Sequence, residues 1–137
     1  MLRQFLVGGL ASVCNIAIHA LVMMAVIRVA QAVSQNYKRS RPSILVAVMA
    51  ATVSVLMAAH ALEVIVWAAT YRLVDAVPPG ADLVYFAYVN YTTLGYGDVV
   101  PVKQWQLLGP MTAMNGVLLF GWSTAVIFEV LRKTLGR

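Results

Sequence analysis

Long apolar runs dominate the chain, and charged positions bound each of them. Residues 4–27 carry no formal charge over 24 positions, residues 43–71 contain one acid in 29 positions, and residues 104–128 are uncharged over 25 positions. A helix needs about 20 predominantly apolar residues to cross the hydrocarbon core of a bilayer. The pattern therefore predicts three transmembrane helices.

The segment between the second and third runs has a different pattern. Residues 77–80 read Val-Pro-Pro-Gly, which ends a helix, and Asp82 is a typical N-cap for the apolar and aromatic run that follows at 83–91. A run of about ten residues at 1.5 Å per residue covers about half of the membrane core. It therefore predicts a re-entrant half-helix. The polar, glycine-rich stretch 92–98 predicts non-helical backbone, which is tolerated at membrane depth only inside protein or beside water.

Composition agrees with a membrane location. Hydrophobic residues make up 61% of the chain and charged residues 11%, whereas soluble domains carry about 25% charged residues. The net charge of +5 comes from basic residues at helix ends, so we expect contact with lipid headgroups and no nucleic-acid binding. The single cysteine, Cys14, allows neither a disulfide nor a cysteine metal site within one chain.

The basic residues also predict an orientation. With the first connection inside, seven basic residues are cytoplasmic and three are external, which satisfies the positive-inside rule. The N-terminus is then outside and the C-terminus cytoplasmic. A secretory signal has an apolar core of about 7–15 residues, so the first run is too long for one. The cytoplasmic set is Arg28, Lys38, Arg39, Arg41, Arg132, Lys133 and Arg137.

The stretch Thr93-Leu94-Gly95-Tyr96-Gly97-Asp98 resembles the selectivity filter of potassium channels, usually written TVGYGD. The order helix, half-helix, loop, helix is similar to the pore module of that family. The resemblance implies that the Thr93 hydroxyl and backbone carbonyls bind potassium ions, that Tyr96 packs against the pore helix, and that Asp98 braces the outer mouth. The implied carbonyl ligands are those of Thr93, Leu94, Gly95, Tyr96 and Gly97.

This resemblance implies an all-α membrane protein with a re-entrant pore helix and a filter loop. A ring of carbonyls needs four such loops, so we expect a homotetrameric pore with the third spanning helix lining its cavity. The first helix lies outside the resemblance and packs either beside the pore module or on a neighbouring subunit. The predicted segments are a first helix at 1–32, a basic loop at 33–42, and a pore module at 43–137, with outer helix 43–72, pore helix 82–92, filter 93–98 and inner helix 104–134.

Two positions depart from the family pattern. Leu94 replaces the usual β-branched residue, and the loss of branching at Cβ removes a stiffening constraint. Val89 stands where many relatives have an acid in the pore helix. Without that acid, Asn90 and Tyr91 are the candidates to hydrogen-bond Asp98.

The second helix contains a substitute acid. Glu63 is the one acid within the three apolar runs, and His60 precedes it by three residues on the same helical face. Ionisable groups at membrane depth usually face protein or water. We hypothesise that Glu63, paired with His60, supports the pore helix or filter from behind; a structural hydrogen-bonded pair between helices is the alternative. His19 has no acid near it in sequence and is interpreted as a packing residue.

The third helix offers further candidates. Thr112, Asn115 and Ser123 share one face with Leu119, and this face either lines a hydrated cavity or forms hydrogen bonds between helices. Gly116 is either a hinge or a site of close packing.

The favoured function is a potassium-selective channel of a cell membrane, in line with a bacterial inner membrane. The alternative is a non-conducting or weakly selective membrane component that retains the filter fold. The sequence contains no arginine repeat typical of a voltage sensor. It also contains no recognisable catalytic triad, metal-ligand cluster or phosphate loop, so we expect no enzyme. The basic positions Lys38, Arg39 and Arg41 are candidates for anionic headgroups.

Overall fold

The computed structural model describes residues 1–36 and 42–135. The α-helices are α1 (Leu2–Asn36), α2 (Pro42–Leu73), α3 (Leu83–Tyr91) and α4 (Leu108–Thr134), with a short 3₁₀ turn at Lys103–Trp105 before α4. No strand occurs among these described residues. Three helical segments are long and apolar enough to cross a membrane. The prediction of an all-α membrane protein with three spanning helices is confirmed.

The helix boundaries differ from the predicted ones by more than one residue in two places. α1 continues to Asn36, so residues 33–36 of the predicted loop are helical; no glycine or proline follows residue 9 in this helix to end it earlier. α4 begins at Leu108 instead of residue 104. Pro110 is tolerated only in the first turn of a helix, which prevents an α-helix from running through residue 104. Lys38, Arg39 and Arg41 lie outside the described residues.

α1 packs against α2 and α4 of its own chain. Contacts near its start and middle show that α1 runs parallel to α4: the Gln4 side chain accepts a hydrogen bond from the Leu107 amide at 2.8 Å, and Asn15 bonds Asn115 at 3.1 Å. The first helix therefore lies beside the pore module within one chain. Its buried positions recur every three or four residues, as one helical face requires: Gln4, Gly8, Ala11, Asn15, His19, Met23, Val26 and Ala30.

Two apolar clusters and a polar layer between them form the core. The outer cluster joins α2, α3 and the start of α4 around Trp67, Tyr71 and Phe86. The inner cluster joins α1, α2 and α4 around Met23 and Val130. Along each long helix the two clusters are separated by buried or half-buried polar side chains, which we call the polar layer: Asn15, His19, His60, Glu63, Asn115 and Ser123.

Candidate functional site

α3 is fixed at both ends. The Asp82 carboxylate accepts hydrogen bonds from the amides of Val84 and Tyr85, each at 3.0 Å, which confirms the predicted N-cap. At the other end, Tyr91 is buried between α2 and α4. The half-helix is therefore held firmly where the loop that follows it begins.

The loop of residues 93–98 has an alternating backbone. The angle φ is positive at Thr93 (60°), Gly95 (61°) and Gly97 (76°), and it is not positive at the residues between them. When φ alternates in sign from residue to residue, successive peptide units can turn toward the same side. Thr93 adopts this angle without being glycine, and such a strained residue costs about 1–3 kcal/mol.

Hydrogen bonds to α3 hold this loop in place. The Val89 carbonyl accepts from the Leu94 amide at 2.9 Å and from the Gly95 amide at 3.3 Å, and the Asn90 carbonyl accepts from the Thr93 amide at 2.9 Å. The strained conformation at Thr93 is thus stabilised by backbone bonds on both sides of it.

The side chains of the loop lie on the surface of the single chain. Leu94 is 55% exposed and Tyr96 is 67% exposed. Tyr96 therefore does not pack against the pore helix of its own chain, and the expected contact stays a prediction for the assembled protein. The reason is that the buried face of α3, around Phe86 and Ala87, already packs against the outer cluster.

Asp98 has a partner that the sequence analysis missed. The Tyr85 hydroxyl donates to the Asp98 carboxylate at 2.7 Å. The expected partners are engaged elsewhere, because the Asn90 amide donates to the Phe86 carbonyl and the Tyr91 hydroxyl donates to Glu63. The hydrogen bond to Asp98 raises the pKa of Tyr85 above its ordinary value.

Glu63 is fully buried, and its contacts come from two other helices, α1 and α3, and from its own helix α2. His19 Nδ1 lies 2.8 Å from Glu63 Oε1, and His60 Nδ1 lies 2.9 Å from Oε2. The Tyr91 hydroxyl at the end of α3 also donates to Oε2; the Asn15 amide donates to the Glu63 backbone carbonyl at 3.2 Å. The acid thus faces inward, beside His60, and contacts the pore helix.

His19 differs from its interpretation as a packing residue without an acidic partner. It is fully buried and bonds an acid that is 44 positions away in the chain. The contact forms because α1 packs across α2, which local sequence does not show. His19, His60 and Glu63 also bring nitrogen and oxygen atoms within 4.8 Å of one another, a cluster of ionisable groups that the sequence analysis did not recognise.

The polar face of α4 forms contacts between helices. Thr112 bonds the Tyr71 hydroxyl. Asn115 Oδ1 accepts from Asn15 Nδ2 and from Trp67 Nε1 at 3.0 Å, and Ser123 Oγ lies 2.9 Å from His60 Nε2. All three are at most 6% exposed, so they do not line a cavity in this chain. The reason is that α1 and α2 cover this face. The opposite face is exposed and consists of Met114, Val117, Leu118, Gly121, Thr124, Ala125 and Phe128.

Gly116 lies where α4 approaches the end of α3. A Cβ atom at this position would collide with the Tyr91 carbonyl oxygen. α4 is continuous through this glycine, from Leu108 to Thr134. Of the two interpretations of Gly116, close packing is the one that these contacts support.

Comparison with known proteins adds one match. A family model described as "Ion channel" matches residues 59–133, which is more than half of the chain. The matched part contains most of α4, all of α3, the loop of residues 93–98 and Glu63, whereas α1 lies outside it. No curated protein and no solved structure matches the chain.

Proposed function

The chain belongs to the ion channel family, and from this premise we propose that it conducts potassium ions selectively across a cell membrane. The observation that carries the proposal is the loop of residues 93–98, in which φ is positive at every second residue from Thr93 to Gly97. Successive carbonyls that point to one side can replace the hydration shell of a potassium ion. The proposed ligands are the Thr93 hydroxyl and the carbonyls of Thr93, Leu94, Gly95, Tyr96 and Gly97.

The pore in this proposal is a homotetramer. One chain carries one filter loop, and a closed ring of carbonyls takes four. The exposure of Leu94 and Tyr96 supports this assembly, since both side chains become buried when a second chain packs beside the loop. The exposed face of α4 then lines the inner pore, with Thr124 as a polar member of a largely apolar surface.

Glu63 has a supporting role in this proposal. Its carboxylate holds the Tyr91 hydroxyl, and Tyr91 is the last residue of the helix from which the filter continues. The contact fixes the inner end of the filter through α3, and Tyr85 fixes the outer end through Asp98. Val89 stands where many relatives have an acid in the pore helix. In this proposal two contacts, one at each end of the filter, take the place of that acid.

We propose that the protein lies in a bacterial inner membrane, with its N-terminus outside and its C-terminus in the cytoplasm. Seven cytoplasmic basic residues against three external ones support this orientation. The parallel packing of α1 with α4 is also what alternating spans require. We further propose that anionic headgroups contact Lys38, Arg39 and Arg41 in the sequence between α1 and α2.

Flux into liposomes that contain the purified protein tests the function. Uptake is measured under a potassium gradient and, separately, under a sodium gradient, with empty liposomes as the control. The proposal expects uptake that is fast with potassium and near the background with sodium. Equal uptake of both ions would replace it by a weakly selective pore, and a folded tetramer without any uptake would replace it by a non-conducting component.

Tyr85→Phe tests the outer support of the filter. The substitution keeps the ring and removes the hydroxyl that holds Asp98, so the outer end of the filter loses a fixed contact. We expect sustained potassium flux to fall severalfold in the same assay. Tyr88→Phe is the matched control, since Tyr88 lies in the same helix, is similarly exposed, and its hydroxyl has no hydrogen bond within the described residues. Equal flux in the two variants would refute the role of Tyr85.

A further inference from the structure

We propose that His19, His60, Glu63, Tyr91 and Ser123 form a buried proton site behind the filter loop, and that this site holds one exchangeable proton per chain. Each of the four α-helices contributes to it: His19 comes from α1, His60 and Glu63 from α2, Tyr91 from α3, and Ser123 from α4. The proton couples the anchor of the filter to the helix that lines the pore.

The hydrogen atoms around Glu63 can be assigned from its contacts. A carboxylate only accepts hydrogen bonds, and both of its oxygens are in contact with possible donors. His19 Nδ1 lies against one oxygen, and His60 Nδ1 and the Tyr91 hydroxyl lie against the other. With Glu63 ionised, both Nδ1 atoms therefore carry a hydrogen.

Ser123 determines the state of the other two ring nitrogens. Its oxygen lies 2.9 Å from His60 Nε2 and 3.4 Å from His19 Nε2. A serine hydroxyl has one hydrogen to donate, so it satisfies one Nε2 atom, and the other must itself donate. One of the two rings then carries hydrogens on both nitrogens and is an imidazolium. Its positive charge balances the buried charge of Glu63, which would otherwise be costly.

The distances favour a proton over a metal ion at this site. Zinc bonds of about 2.0–2.1 Å in a tetrahedral site place the ligand atoms about 3.3 Å apart. The two nitrogen–oxygen distances here are 2.8 and 2.9 Å, which are hydrogen-bond lengths. Both Nε2 atoms also face Ser123 and not an open position.

Loss of the proton has a defined structural consequence. With both rings neutral, one contact between Ser123 and an Nε2 atom has no hydrogen, and the charge of Glu63 has no counterion. α4 then loses a hydrogen bond to α1 or α2, beside the end of the filter helix. Within the described residues, α4 contributes no titratable group that faces the site, so the ionisable groups that face it are His19, His60, Glu63 and Tyr91. Histidine ordinarily changes charge near neutral pH.

Nitrogen-15 NMR of histidine-labelled protein counts the proton directly. The chain has two histidines and both belong to the site, so every labelled signal comes from it. The proposal expects one imidazolium and one neutral ring with hydrogen on Nδ1, the loss of one proton per chain on raising the pH, and two neutral rings in Glu63→Gln at the same pH. Two neutral rings in the wild-type protein from about pH 5 to 9, or spectra that change on dialysis against a chelator, would overturn it.

Potassium flux tests the coupling, and this part alone rests on the proposed function. With equal pH on both sides, wild-type flux is expected to fall severalfold from neutral to alkaline pH, and His19→Gln is expected to remove that dependence. Trp122→Phe is the control, because the Trp122 ring lies beside the His19 ring, with centroids 5.2 Å apart and planes tilted by 51°, and forms no hydrogen bond to it. A wild-type flux that is the same at every pH would overturn the coupling. A protein without flux at any pH contradicts the proposed function, while the NMR result still decides the proton count.

Discussion

Replacing Gly95 by alanine is expected to abolish selective potassium flux while the helices remain folded. Gly95 has a φ of 61°, and a Cβ atom there would meet only the Thr93 carbonyl oxygen at 3.9 Å, which is ordinary contact. The obstacle is therefore the backbone angle, which costs a residue with a Cβ about 1–2 kcal/mol. In the proposed tetramer this cost arises in all four loops, and we expect each loop to relieve it by rotating the peptide units whose carbonyls are the proposed ion ligands. Liposome flux under a potassium gradient measures the loss.

Gly80→Ala is the matched control for this substitution. Gly80 also has a positive φ, of 86°, and a Cβ atom at this position would have no other atom within 4 Å. It lies in the connection between α2 and α3. The backbone strain is similar, and the filter is not touched. We expect wild-type flux in Gly80→Ala. Potassium flux in Gly95→Ala at the level of this control would show that the loop conformation does not carry conduction.

Replacing Gly116 by alanine is expected to destabilise the assembled protein more than any other glycine substitution in α4. The added Cβ collides with the backbone carbonyl of Tyr91, and backbone yields less readily than the end of a flexible side chain. Overpacking in a well-packed interior costs about 1–3 kcal/mol. Because Tyr91 also bonds Glu63, the displacement extends to the buried proton site. Thermal unfolding in detergent should show a melting temperature lowered by several degrees.

Gly121→Ala provides the comparison in the same helix. A Cβ at Gly121 has nothing within 4 Å, and alanine favours a helix over glycine by about 1 kcal/mol. We expect the melting temperature of this variant to equal or exceed that of the wild type. If Gly116→Ala were as stable as Gly121→Ala, the interpretation of residue 116 as a site of close packing would be wrong, and the hinge would be the better interpretation.

The sequence predicted those parts of the fold that depend on residues close together in the chain. The apolar runs define the spanning helices, and Asp82 marks the start of α3 through a side chain that bonds amides two and three positions ahead. The filter-like loop is a continuous motif whose glycines fall at positions of positive φ. Each of these features depends on residues close together in the chain.

The contacts between distant segments were not predictable in the same way. The polar residues on one face of α4 are equally compatible with a hydrated cavity and with a contact between helices. Only the position of α1 decides between the two. A usable signal existed in α1, where Asn15 and His19 share a face with Ala11 and Met23. Two polar residues on a buried apolar face require partners, and α2 and α4 provide them. Nothing comparable identifies Glu63 as the partner of His19, because the packing of α1 determines it.

Tyr85 shows a different limit. The position that lacks an acid, Val89, is one turn further along α3, and the long phenol side chain of Tyr85 reaches Asp98 from the preceding turn. Comparison with the family motif points to position 89 and does not reveal that the longer side chain of Tyr85 can reach Asp98. The chemical requirement, a donor for the Asp98 carboxylate, was visible in sequence, but the residue that meets it was not.

The reversal potential of the purified protein in a planar bilayer measures its selectivity for potassium over sodium. Potassium chloride is placed on one side and sodium chloride at the same concentration on the other. We expect a current that reverses only at a strongly displaced voltage, with the sign that opposes the outflow of potassium. A reversal near zero, with chloride permeation excluded by an impermeant anion, would contradict potassium selectivity.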